Sequence, residues 1–186
     1  HTEVERRTDI MLLLADASYR TGAPVHACTW FARALPILQT RGDRPAVRTT
    51  INRLGATYFE LGNLLGAEQC FARALELGRV DDDQLLVARS TNNLGLVANV
   101  RGRREEALAT YQLAIPAYQR LGHVQGLAES HHNMAISYRD LGDLERADEH
   151  ERRAIEYALR LPDLRLEALG RLGRAEVLLR RDELVV

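Results

Sequence analysis

Residues 54–75 read LGATYFELGNLLGAEQCFARAL, and the pattern of small and aromatic residues in this stretch recurs along the chain. Its central glycine belongs to a series spaced by forty residues: Gly22, Gly62, Gly102 and Gly142. Alanine stands five residues after each glycine (Ala27, Ala67, Ala107, Ala147) and again twelve residues after it (Ala34, Ala74, Ala114, Ala154). Such alignment over four copies indicates an array of structural repeats.

Each forty-residue repeat is expected to form two antiparallel helices. Leu94 and Ala98 share one face of a first helix, and Ala107 and Tyr111 share one face of a second helix. Gly102 stands between them and is suited to a left-handed helix stop. Small residues on the facing sides let the two helices approach closely. The apolar flank that remains has to be buried by the next pair.

The spacing therefore predicts an all-α fold, a right-handed α-solenoid of antiparallel helix pairs. We expect a single array with four complete repeats and the first helix of a fifth. The expected boundaries are 1–41, 42–81, 82–121 and 122–161 for the four repeats, and 162–186 for the last helix.

The quoted stretch resembles the tetratricopeptide repeat (TPR) family. The family pattern of Leu-Gly, Tyr, Gly, Ala, Tyr or Phe, and Ala is matched by Leu54, Gly55, Tyr58, Gly62, Ala67, Phe71 and Ala74. The likeness covers nearly the whole chain. The family period is about 34 residues, so both helices of the longer repeat are expected to be about one turn longer.

This resemblance implies a non-catalytic module that binds a protein or peptide on its concave surface. Longer repeats of this kind resemble those of bacterial regulatory and signalling proteins, and those of scaffolds that bind extended peptides. We therefore expect a cytoplasmic protein that needs no cofactor and is part of a larger bacterial regulator. The chain has 25 basic residues, all of them arginine, and this composition also indicates a GC-rich, bacterial genome.

The groove is expected to be lined by the first helix of each pair, on the side turned away from the Leu-Gly and Tyr positions. Asparagine there can donate to and accept from an extended backbone, and arginine can pair with acidic side chains. The expected groove residues are Asp16, Tyr19, Asn52, Arg53, Phe59, Arg89, Asn92, Asn93, Asn99, Glu129, His132, Asn133 and Arg139.

Other functional classes find little support in the sequence. A net charge of −1 and 5% aromatic residues do not favour nucleic-acid binding. No apolar run reaches the ~20 residues of a membrane span. Phosphate-binding loops and nucleophile elbows are missing from the sequence, so we expect no enzyme. Cys28 and Cys70 have no metal-ligand spacing, so buried apolar packing is the expectation.

Residues 129–142, ESHHNMAISYRDLG, have the composition of a metal or catalytic site. Glu129 and His132, three residues apart, could ligate a metal if further partners existed. In the repeat register, however, the stretch is the first helix of the fourth repeat. His131 then falls at a packing position and His132 in the groove, where it could make binding sensitive to pH.

The last helix, within residues 164–186, carries apolar residues around most of its circumference. A terminal helix normally presents a polar outer face. We expect either that the native chain continues or that this surface packs on a partner or a second copy. The alternative function is thus a structural array that forms a homodimer through Leu169, Leu172 and Leu179.

Overall fold

The forty-residue repeat consists of two helices of nearly equal length joined by three-residue turns. The computed structural model describes residues 2–162 and 164–181, and in these ranges the secondary structure is entirely helical. The helices are α1 (Glu3–Arg20), α2 (Pro24–Thr40), α3 (Arg44–Glu60), α4 (Leu64–Val80), α5 (Gln84–Val100), α6 (Arg104–Arg120), α7 (Val124–Asp140), α8 (Leu144–Ala158) and α9 (Leu164–Arg180).

The seven turns that join α1 through α8 have the same geometry, both within repeats and between them. Each has a left-handed residue in the middle, with φ between 53° and 83°, at Gly22, Gly42, Gly62, Asp82, Gly102, Gly122 and Gly142. The backbone N–H of the following residue donates to the carbonyl five residues back, as from Ala23 to Ser18 at 2.8 Å. This is the Schellman helix stop, and it repeats every twenty residues.

The residue after each left-handed position immediately precedes the next helix. In five turns its side chain accepts a hydrogen bond from the backbone N–H three residues later, at Asp43, Asn63, Asp83, His123 and Asp143. One short segment thus ends one helix and caps the next. Two 17-residue helices and two three-residue turns of this kind give the period of forty residues.

The chain divides into two compact units, one from His1 to Ser90 and the other from Thr91 to Val186. In the first unit, α1 packs on α2, α2 on α3 and α3 on α4. Its core includes Ala15, Ala27, Phe31 and Leu54, and a second cluster is formed by Ile51, Ala74 and Leu86.

In the second unit, α6, α7, α8 and α9 pack in sequence, and α7 also contacts α9. Its core includes Ala98, Ala107, Tyr111, Met134 and Val177. Gly95 of α5 lies against Tyr111 of α6, and a Cβ on Gly95 would lie 2.6 Å from the Tyr111 ring. The small residue in the first helix and the aromatic ring in the second are therefore matched in size.

Candidate functional site

The first helices of the pairs (α1, α3, α5, α7 and α9, here called A helices) carry all the predicted groove residues. The second helices (α2, α4, α6 and α8) are called B helices. In the first unit the structure brings Asp16, Tyr19 and Arg53 together around a cavity of about 300 Å³. Arg20, Phe31 and Ala56 complete its wall.

An ion pair between Asp16 of α1 and Arg53 of α3 closes one side of this cavity. The Asp16 carboxylate is three-quarters covered, whereas about half of the Arg53 side chain is exposed. A guanidinium has five N–H groups, so Arg53 keeps donors for a second acceptor beside Asp16. The cavity is thus lined by the aromatic ring of Tyr19, the small side chain of Ala56 and the guanidinium of Arg53, which is already paired with Asp16.

The other predicted groove residues of the first unit lie outside this cavity. The Asn52 amide oxygen accepts a hydrogen bond from the Ser90 hydroxyl at 3.3 Å. Phe59 is half-buried on α3, and Arg89 is exposed on α5.

In the second unit, two asparagines expected in the groove wall are buried between A helices. Asn92 is 4% exposed and Asn99 is 6% exposed. Their amide oxygens accept hydrogen bonds from Ser130 at 2.8 Å and from Ser137 at 2.9 Å. The stripe that turns away from the B helix meets the next A helix instead of solvent. These two amides therefore join α5 to α7.

The remaining predicted residues of the second unit keep partial exposure. Glu129, Asn93 and Asn133 are half-buried, and Glu129 accepts a hydrogen bond from Gln125 at 2.9 Å. Arg139 forms an ion pair with Glu176 of α9. The polar surface of this unit is thus narrower than the spacing predicts.

His132 has a partner that the sequence reasoning did not identify. Its Nδ1 lies within hydrogen-bond distance, 3.0 Å, of the Glu151 carboxyl group of α8, and Glu151 is only 1% exposed. Desolvation raises the pKa of Glu151, while its bond to His132 and the charge of Arg139 act in the opposite direction. Gly173 of α9 leaves room for the carboxylate, because a Cβ on this residue would overlap it.

The signal for Glu151 was present in the sequence. It is the one charged residue at a position that holds Phe31, Phe71 and Tyr111 in the other repeats. A charge in an aromatic position needs a buried partner. The partner is found at the position of Asn52 and Asn92, which carries histidine in the same repeat.

His131 lies where the repeat register places it, at a packing position, and is 4% exposed. Its Nδ1 lies 2.9 Å from Nδ1 of His150 on α8. Among residues 2–162 and 164–181 there is no group of three or more candidate ligands arranged to hold a metal ion. No helix within the described ranges has the length and apolar character needed to cross a membrane.

Cys28 and Cys70 are free thiols and are half-buried. Both pack at the edge of the core cluster that contains Phe31 and Leu54. Desolvation raises the pKa of the Cys70 thiol, which keeps it protonated. Both cysteines therefore pack as small apolar side chains do.

The self-association candidates on α9 are exposed to different degrees. Leu172 is 59% exposed and Leu179 is 60% exposed, whereas Leu169 is closer to half-buried. Leu166 and Val177 of the same helix are buried in the second unit. The apolar circumference predicted for this helix therefore divides into a packed side and an uncovered side.

Comparison with known proteins agrees with this architecture. The family model of the tetratricopeptide repeat matches residues 7–80 and 81–160. No protein of curated function matches the chain significantly by sequence.

Solved structures share the fold at low sequence identity. Aspartyl phosphate phosphatase F from Bacillus subtilis superposes with a TM-score of 0.83 at 15% identity, over 98% of this chain and 48% of that chain. The chain thus spans about half the length of that phosphatase. BtubC from P. vanneervenii has a TM-score of 0.67 at 17% identity, covering 98% and 86% of the two chains. A Podosopora anserina protein of nearly identical TPR-like repeats has a TM-score of 0.71 at 14% identity, covering 98% and 90%.

At these sequence identities, the solved structures indicate only the fold, which is an all-α solenoid of TPR-like helix pairs. The family model carries the assignment, because its two matches together span more than half of the sequence. The chain belongs to the tetratricopeptide repeat family.

Proposed function

We propose that this chain is a non-catalytic interaction module that binds an extended segment of a partner protein on its A helices. The observation that carries the proposal is the cavity between α1 and α3, which gathers Asp16, Tyr19 and Arg53. Membership of a repeat family that commonly binds proteins supports it. We also propose a bacterial, cytoplasmic and regulatory setting, and the fact that all 25 basic residues are arginine supports its bacterial part.

The chemistry of the cavity suits an extended peptide. Tyr19 offers an aromatic surface for an apolar side chain, and Ala56 leaves space for it. Arg53 can donate to a backbone carbonyl or an acidic side chain of the peptide while Asp16 holds it in place. The site would therefore favour a peptide with an apolar side chain beside an acceptor.

The second unit would contribute a smaller set of contacts. Asn93, Glu129, His132, Asn133 and Arg139 are the predicted groove residues that retain partial exposure there. Asn92 and Asn99 are omitted from the proposed contacts, because their amide oxygens are already engaged between helices.

Blocking the cavity tests the proposal. A peptide is first selected from a random display library on the wild-type chain. Ala56→Arg fills the cavity from α3 and is expected to weaken binding of that peptide at least about tenfold, measured by calorimetry. The matched control is Ala32→Arg, which adds the same side chain at an exposed position of α2. Equal affinities of the two variants would show that the peptide binds elsewhere.

A structural role is the second candidate, and the uncovered side of α9 favours it. At the positions of Leu172 and Leu179, α5 carries Asn92 and Asn99, which bond the next A helix. The same face of α9 is therefore shaped to receive another helix. We propose a second copy of the chain as its occupant, in a homodimer.

Light scattering tests this second candidate. Leu172→Glu and Leu179→Glu together are expected to turn a dimer into a monomer, since two charges would be placed in an apolar contact. Leu113→Glu is the control, because Leu113 is also exposed but lies on α6. A wild-type chain that stays monomeric at high concentration would contradict the dimer.

A further inference from the structure

Three of the six histidines lie in a single helix pair, at the contact between α7 and α8. His131 faces His150, with their Nδ1 atoms 2.9 Å apart. Beside them, His132 faces Glu151, with Nδ1 to carboxylate distances of 3.0 and 3.1 Å. Both pairs join residues nineteen apart in sequence, so they lie next to each other across one contact. This contact is called the α7–α8 seam below.

The other helix pairs contain no such concentration. The position of His131 holds Met11, Ile51 or Thr91, and the position of His150 holds Trp30, Cys70 or Thr110. The position of His132 holds leucine or asparagine in the other repeats, and the position of Glu151 holds an aromatic residue. None of these alternatives changes its charge between pH 4 and pH 7. At these four positions, only the fourth repeat has side chains that titrate in this pH range.

The histidine pair is packed against aromatic rings. His131 stacks on Tyr157, with ring centres 5.7 Å apart and planes at 13°. His150 lies against Tyr138 with ring centres 5.3 Å apart. Both imidazoles border a cleft of about 440 Å³ between α6, α7 and α8. Solvent in this cleft gives protons a route to the pair.

The geometry of the pair requires at least one neutral ring. When one Nδ1 donates its hydrogen, the other Nδ1 must accept it and cannot carry a proton of its own. Protonation of both rings would place two cations with facing N–H groups 2.9 Å apart. The closed seam therefore cannot accommodate the fully protonated pair.

The groups around the pair give little compensation. On α8, Arg153 and Arg146 disfavour a further positive charge on His150, and Glu149 opposes them. On α6 the cleft wall contributes the neutral Gln112 and Gln119, and on α7 it contributes the neutral Tyr138. Glu156 also lines the cleft.

We propose that the α7–α8 seam is an acid-sensitive switch that is closed near neutral pH and opens locally as the pH falls. The contact that breaks is the His131–His150 pair, and the helices that loosen are α7 and α8. This inference does not depend on a ligand in the groove. It can fail or succeed separately from the proposed function.

Proton linkage determines the direction in which the stability of the seam changes with pH. Desolvation lowers the pKa of His131 to about 4, and His150 and Arg153 act in the same direction. Desolvation also lowers the pKa of His150. The open state, with an ordinary pKa of about 6.5, binds more protons than the closed state. The stabilisation is complete above pH ~6.5 and is lost as the pH falls toward 4.

Glu151 acts in the opposite direction. Because its pKa is raised, its contribution to stability is present at low pH and is lost as the pH rises through the folded-state pKa. The charged or titratable neighbours of Glu151 are His132 and Arg139 on α7 and Glu176 on α9, and the charge of Glu176 raises the pKa of Glu151 further. The two pairs therefore oppose each other, and Glu151→Gln removes the opposing contribution while keeping a side chain that can bond His132.

Hydrogen exchange tests the switch. After correction for intrinsic rates, protection of α7 and α8 amides is expected to fall at least about tenfold from pH 7 to pH 5, relative to α1–α4. His131→Thr with His150→Thr, the residues of the third repeat, is expected to abolish this relative loss. Glu151→Gln is expected to retain it.

Two further variants keep the test decisive. His26→Thr, at an exposed histidine of α2, is the control and should behave like the wild type. If the double variant does not fold, His150→Thr alone should reduce the relative loss, because the Nδ1–Nδ1 contact is gone. A wild-type chain whose α7 and α8 protection follows that of α1–α4 at both pH values would overturn the proposal.

Discussion

Tyr111 places a hydroxyl group in a buried position without a hydrogen-bond partner among the described residues. The side chain is completely buried. Burial raises the pKa of this phenol. Phe31 and Phe71 hold the same position in the first two repeats, so the pocket accepts a ring without a polar atom.

Tyr111→Phe is therefore expected to stabilise the chain by about 1 kcal/mol, because a buried unpaired hydroxyl carries a desolvation cost. Urea unfolding of the two proteins measures the difference. A loss of stability on substitution would mean that the hydroxyl has a hydrogen-bond partner in solution.

Gly95 shows how the same contact limits the opposite helix. A Cβ at this position would lie 2.6 to 3.1 Å from atoms of the Tyr111 ring. Gly95→Ala is expected to cost about 1–3 kcal/mol through overpacking, despite the higher helix propensity of alanine. In a Tyr111→Leu background most of this cost should disappear, which a double-mutant cycle measures. An equal cost in both backgrounds would assign it to another neighbour.

At the scale of helices and turns, the twenty-residue recurrence of one helix stop is the main regularity. Six of the seven left-handed positions hold glycine, and Asp82 holds the seventh with φ of 53°. The Asp82 carboxylate accepts a hydrogen bond from the side-chain amide of Gln84 at 2.6 Å. A residue with a Cβ is strained in this region, although aspartate tolerates it better than most.

Asp82→Gly is expected to stabilise the chain by up to about 1 kcal/mol, because glycine relieves that strain. Gly102→Ala is the reciprocal variant and is expected to destabilise by about 1 kcal/mol or more. Thermal unfolding compares both with the wild type. Changes of the same sign in the two variants would show that φ at these turns does not decide their stability.

The helices were predictable because the glycine and small-residue spacing sets both their length and the contact within each pair. The twenty-residue period was harder to see, because Asp82 interrupts the glycine series. The placement of Asn92 and Asn99 was not predictable from one helix. Periodicity shows which residues share a face, but the neighbour that the face meets depends on how successive pairs stack.

At the scale of the whole chain, family membership follows from the repeated pattern, and the site follows only in part. Asp16 and Tyr19 lie three residues apart on α1 and Arg53 lies on α3, the next A helix, so their place on the first helices of two successive repeats could be predicted. Glu151 escaped prediction because its partner comes from another helix, although its position among aromatic residues signalled something unusual. The proposed contacts are therefore better defined in the first unit than in the second.

Site-specific photo-crosslinking tests this binding face most directly. A benzophenone amino acid replaces Tyr19 in one protein and Leu113 in another, and each is irradiated with the display-selected peptide. The probe at position 19, beside the cavity of α1 and α3, is expected to capture the peptide. The probe at position 113, exposed on α6, should not capture it. Capture at position 113 with none at position 19 would contradict the assignment of binding to the A helices.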